Sequence, residues 1–164
     1  MSSESVCMTD NEMELVFDAL SVNEGLARMA VAAFVADKNP TLEEISDIKT
    51  AVSEAVTNAI IHGYENDAKT YQKQNNLQKV RLHCSFTGKL LVIEVEDKGI
   101  GIANVEQAME PLFTTKPDKD RSGMGFSFME AFMDELEVES TPGEGTLVRM
   151  QKEIGYQPWI CEED

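Results

Sequence analysis

One stretch of the 164-residue chain places two chemically useful groups a helical turn apart. Residues 47–63, DIKTAVSEAVTNAIIHG, repeat apolar side chains at three- and four-residue steps, at Ile48, Ala51, Val52, Ala55, Val56 and Ala59. This spacing predicts a helix that buries one stripe against a sheet and closes at Gly63. Glu54 and Asn58 fall on its other side, about 40° apart around the axis. A carboxylate can take a proton or hold a water, and a neutral amide oxygen suits a hard cation such as Mg²⁺ without adding negative charge. Side by side they meet the needs of phosphoryl transfer, although the same pair would also serve as a solvated polar face.

Two glycine motifs follow. Leu91, Ile93 and Val95 share one parity of a predicted strand, and the next residue of that parity is Asp97. A carboxylate thus turns toward the core as the strand ends, where it needs donors to offset its desolvation. The exocyclic amine of adenine is such a donor, whereas the O6 of guanine would oppose it. Gly99 and Gly101 in DKGIGI allow a tight turn and close approach to a flat ligand, yet the same letters describe an ordinary turn after a strand. Further on, Gly123, Met124 and Gly125 precede a Phe/Met-rich segment. Freed amides at a helix start favour phosphate, and they equally describe a capped helix. Between the motifs, Thr114, Thr115, Lys116 and Arg121 lie on a loop with prolines at 111 and 117, a composition suited to a lid. Lys116 or Arg121 could meet a terminal phosphate or remain a solvated charge. Neither a P-loop nor a dinucleotide fingerprint is present in the sequence.

The elements that must position these groups are few. A strand at 13–17 precedes a helix opening at Ser21, with Glu24 at capping-box spacing and Val22, Leu26, Met29, Ala30, Ala33 and Phe34 as its buried stripe. Thr41 and Glu44 repeat the capping signal ahead of the Glu54 helix. Residues 64–78 read as an exposed loop. Strands at 80–86 and 90–96 have hairpin spacing and predict antiparallel pairing. A short helix is expected near 104–109, a third major helix over 125–136, and two last strands at 137–140 and 146–152. This order implies an α+β fold, helices on one face of a mixed, mostly antiparallel sheet. The expected organisation is a flexible segment over 1–11, one domain over 12–154 and a tail over 155–164.

Fourteen basic and 30 acidic residues give a formal charge of −16. That balance would repel nucleic acid and anionic membranes, and suits either a basic protein partner or solubility alone. Three separated cysteines, at 7, 84 and 161, indicate neither a disulfide framework nor a zinc site, and His62 and His83 match no metal spacing. With no leader pattern and no spanning apolar run, a cytoplasmic protein is expected.

Taken together, SEAVTNAIIHGY at 53–64, PLFTTKP at 111–117 and RSGMGF at 121–126 resemble the N-box, lid and second glycine box of the GHKL ATP-binding superfamily. Within it they are most similar to the small anti-sigma serine kinases of spore-forming bacteria. The similarity runs from about residue 13 to 153 and implies a two-layer α/β sandwich of the GHKL (Bergerat) type. It assigns Glu54 to general base and Asn58 to Mg²⁺. It places Asp97, with Gly99 and Gly101, at adenine, and Thr146 in support of Asp97. Gly123, Met124 and Gly125 would serve the phosphates of ATP or ADP, joined by Thr114, Thr115, Lys116 and Arg121 from the lid. The implied partners are a sigma factor of the sigma F type, held inactive, and an anti-anti-sigma factor phosphorylated on serine. Arg28 matches a partner-contacting arginine, although spacing alone makes it a solvent residue. The resemblance also implies a homodimer. A pure nucleotide-dependent sigma-binding protein without significant kinase activity is the alternative. Residues 65–79 are longer and richer in Gln and Asn than the pattern, the N-terminal segment is extended, and the tail has no counterpart in it.

Overall fold

The structure, a computed structural model, describes residues 9–64, 78–110 and 125–155. Five strands form one sheet: β1 (Asn11–Asp18), β2 (Lys79–Thr87), β3 (Leu90–Asp97), β4 (Glu135–Thr141) and β5 (Gly145–Glu153). Their spatial order is β1-β2-β3-β5-β4, and all four pairings are antiparallel, so the expected mixed sheet is antiparallel throughout its described strands. The helices are α1 (Asn23–Val35), α2 (Leu42–Asn58), α3 (Val105–Ala108) and α4 (Gly125–Phe132). The α+β class and the single helix layer are as the sequence implied.

Alternation along the strands creates the two faces of the sheet. Val80, Leu82, Cys84 and Phe86 of β2 and Leu91, Ile93 and Val95 of β3 are buried under the helices, together with Val148 and Met150 of β5. The opposite face is charged. There His83 lies 3.2 Å from both Glu12 and Glu94, and Arg149 joins Glu94 to Glu137. The edge strand β4 exposes Glu135, Glu137 and Glu139 at every second position.

Helix α2 forms as its pattern dictates. Ile48, Ala51, Val52, Ala55, Val56 and Ala59 are all buried. Thr41 accepts from the Glu44 amide at 3.0 Å while the Glu44 carboxylate accepts from the Thr41 amide at 2.8 Å, a complete capping box. Its last turn widens into a π-helix at Ala59–Gly63 rather than continuing as α-helix.

Helix α1 departs from expectation in both cap and face. It starts at Asn23 without a side-chain cap, because Glu24 instead accepts a hydrogen bond from Ser53 Oγ on α2. The buried residues are Ala27, Val31 and Val35, while Val22 is 78%, Leu26 55% and Met29 58% exposed. Small and β-branched side chains let α1 approach α2 and the sheet closely, and that contact selects the stripe. Helix α4 ends at Phe132, short of the expected 136. The Asp134 amide donates to the Gln151 carbonyl and its carboxylate accepts from the Glu153 amide, which draws the chain into strand pairing with β5.

Candidate active site

Asp97 is the last residue of β3 and is only 5% exposed. Its Oδ1 accepts from the Gly99 amide at 2.9 Å. Burial pushes its pKa from 3.8 up to about 6, against the lowering effect of the Gly99 amide. A neighbouring Glu96 raises it further, while the Thr146 amide and Lys98 lower it.

The turn after β3 is built against the end of the α2 helix. Gly63 stands so close to Asp97 that a β-carbon on it would fall 2.8 Å from the carboxylate carbon. The Gly63 carbonyl accepts from the Ile100 amide at 2.9 Å. Tyr64 adds a second tie, its hydroxyl accepting from the Lys98 amide at 2.7 Å and donating to the Lys79 carbonyl at 2.6 Å. Gly101 adopts φ +72°, and a β-carbon there would fall 2.3 Å from the Thr141 carbonyl. The π-turn is what carries the Gly63 carbonyl into this position.

A cavity of about 420 Å³ opens between this turn, α2, α3 and the start of α4. Asn58, Asp97, Gly101, Gly125 and Thr146 line it, with an apolar wall from Ile100 and Ile102. Glu54 is not one of its lining residues but comes close to Gly125, which is. A β-carbon on Gly125 would lie 3.0 Å from the Asn58 amide nitrogen, 3.2 Å from its oxygen and 3.2 Å from Glu54 Oε2. Glycine at the first position of α4 therefore keeps space open where the helix N-terminus meets both polar groups.

The expected residues are thus largely brought together. Asn58, Asp97, Gly101, Gly125 and Thr146 line one cavity, Glu54 approaches it at Gly125, and Gly99 packs against the Asp97 carboxylate. Thr114, Thr115, Lys116, Arg121, Gly123 and Met124 lie outside the described residues, as do residues 1–8, 65–77 and 156–164. Arg28 is not at the cavity. It sits on α1, 3.5 Å from Glu24, with its Nε buried and without a partner. Through Glu24 it communicates with Ser53, the residue before Glu54. Among the described residues no group of three or more His, Cys, Asp or Glu is arranged to hold a metal ion, and no helix is long and apolar enough to cross a membrane.

Two polar residues escaped the sequence reading. Tyr64 follows the helix-closing glycine, so its hydroxyl could be assigned only once the turn was placed. Ser140 accepts from the Ile102 amide at 2.7 Å and contacts Thr146 Oγ1 at 2.9 Å, yet in sequence it is one polar residue of an alternating strand.

The family of histidine kinase-like ATPase domains matches residues 17–152, which places the fold and the cavity in that class. An anti-sigma F factor of Thermoanaerobacter sp. (strain X514) is 57% identical over 145 residues, covering 88% of this chain and 95% of the relative. That of Clostridium beijerinckii is 55% identical over 147 residues, covering 90% and 97%. The chain belongs to the anti-sigma F factor family. In fold it is similar to a Mycobacterium tuberculosis protein whose crystal structure contains RsbU and RsbW domains, with TM-score 0.60 and 18% identity. That likeness covers 88% of this chain and 32% of the solved one.

Proposed function

We propose that the chain is a Mg·ATP-dependent protein serine kinase that binds and inhibits a sigma F-type sigma factor and phosphorylates a serine of its anti-anti-sigma antagonist. In this reading it works in the cytoplasm as a homodimer and touches neither DNA nor membrane directly. The observation that carries it is the convergence of Glu54 and Asn58 on the N-terminus of α4, with Asp97 buried in the same cavity.

The site's chemistry fits an adenine nucleotide. Asp97 accepts from the purine's exocyclic amine, a donor that offsets the cost of holding the carboxylate charged in a buried place. Gly125 opens the α4 N-terminus, whose amides attract the phosphates, and the resemblance adds Gly123 and Met124 to that cradle. Thr114, Thr115, Lys116 and Arg121 cover the phosphates from the lid, the cations balancing charge on the transferring group. Asn58 offers a hard, neutral oxygen that would suit Mg²⁺. When bound, Mg²⁺ neutralises charge on the phosphoryl oxygens. Glu54 accepts the proton of the attacking serine hydroxyl. Arg28 meets the protein partners from the exposed side of α1.

Incubating the chain with γ-labelled ATP, sigma F and the antagonist tests the reading. Label is expected on a serine of the antagonist and nowhere else. Tight ATP binding with no labelled protein would instead support nucleotide-dependent sigma capture without kinase activity. Label on His62 or His83 would point to histidine-kinase chemistry.

A further inference from the structure

Asp97, Thr146 and Ser140 sit side by side across three strands, Asp97 opposite Thr146 and Thr146 opposite Ser140. The hydrogens of the two hydroxyls can be counted, because each has one proton to donate and two lone pairs to accept with. Ser140 Oγ lies 3.0 Å from the Gly145 carbonyl, an acceptor only, so its proton goes there. One lone pair receives the Ile102 amide at 2.7 Å. The remaining contact, 2.9 Å to Thr146 Oγ1, must then be donated by Thr146. Thr146 has spent its proton away from the cavity it lines. What it retains are lone pairs, beside a carboxylate that also only accepts.

We propose that Ser140 is a selectivity-determining residue: by fixing the Thr146 hydroxyl as an acceptor, it makes the buried end of the cavity prefer a 6-aminopurine over a 6-oxopurine. The inference rests on the adenine-nucleotide reading above. An amino group donates to acceptors directly or through a water, whereas a 6-oxo group sets lone pair against lone pair and leaves buried polar atoms unpaired. Without the Ser140 hydroxyl, the Thr146 O–H is free to rotate and donate to the oxo group. Ser140 does not line the cavity, so it acts as a positioning residue for Thr146.

The test is calorimetric titration of wild type and variants with ADP and with inosine diphosphate, which differs only at the purine 6-position and the N1 proton that accompanies it. Wild type should bind ADP more tightly than inosine diphosphate. Ser140→Ala should narrow the ADP-to-IDP affinity ratio by about tenfold, whereas Ser140→Thr, which restores a hydroxyl, should hold it within about threefold of wild type. A merely structural lesion would weaken both ligands equally, so an unchanged ratio in Ser140→Ala overturns the proposal. Should that variant fail to fold, Ser140→Cys, whose sulfur is only a weak acceptor for the Thr146 hydroxyl, is read by the same ratio. If wild type binds neither nucleotide, the adenine reading falls as well. If wild type binds ADP but the ratio ignores Ser140, only this role falls.

Discussion

Gly99 packs against the Gly63 carbonyl so tightly that a β-carbon on Gly99 would stand 2.0 Å from that oxygen. The obstacle is backbone held by the Ile100 amide, so it has little room to yield. Gly99→Ala should therefore destabilise the nucleotide-free protein by about 3 kcal/mol, from forced displacement of a packed backbone. The melting temperature would fall by roughly 6–12 °C, measurable by calorimetry. A variant that melts with wild type would contradict the contact.

Asp97 gives the domain a pH signature. Its pKa is about 6 folded against 3.8 for the ordinary group, so between those values the folded state holds the extra proton. Stability from this group is greatest below pH 3.8 and is lost as pH rises through 6, a cost of about 3 kcal/mol. Asp97→Asn mimics the protonated form, so its stability relative to wild type should climb by about that amount from pH 4 to pH 7. Urea unfolding of both proteins across that range reads the difference. Adenine-nucleotide binding should be lost in the same variant.

Glu54→Gln keeps shape and removes the base. Phosphate transfer should fall by about 10²–10⁴-fold, the usual worth of general-base catalysis. ADP affinity should stay within about threefold, since the carboxamide adds no clash beside Gly125. Filter-binding and transfer assays on the same preparation separate the two quantities, and equal losses in both would remove Glu54 from the base role.

The Thr41 cap acts far from the cavity. Thr41→Ala removes the acceptor for the Glu44 amide and should cost about 1 kcal/mol. A fall of roughly 2–4 °C in melting temperature, with nucleotide affinity unchanged, is the expected result.

The parts of the fold written in side-chain periodicity were legible in advance. The α2 stripe, its capping box and the β2–β3 hairpin follow from local pattern, and each local preference agrees with the tertiary environment. Helix α1 carries two competing apolar stripes, so spacing alone does not select the buried one. Leu26 and Met29 are the larger residues, but Ala27, Val31 and Val35 fit the close approach to α2. Helix α4 is shorter than its pattern predicts because strand pairing at Asp134 overrides helical preference, and nothing local announces that partner. At the site, Glu54, Asn58 and Asp97 stood out by residue type and spacing. Tyr64 and Ser140 did not, since their roles depend on backbone atoms distant in sequence.

The three glutamates spaced along β4 have a consequence for how the protein behaves in a crowded solution. The outermost ladder of backbone amides and carbonyls on that side is a ready template for another chain. Any stray strand approaching it must bring its own backbone alongside a row of negative charges, so further pairing beyond β4, the outermost of the described strands on that side, is opposed.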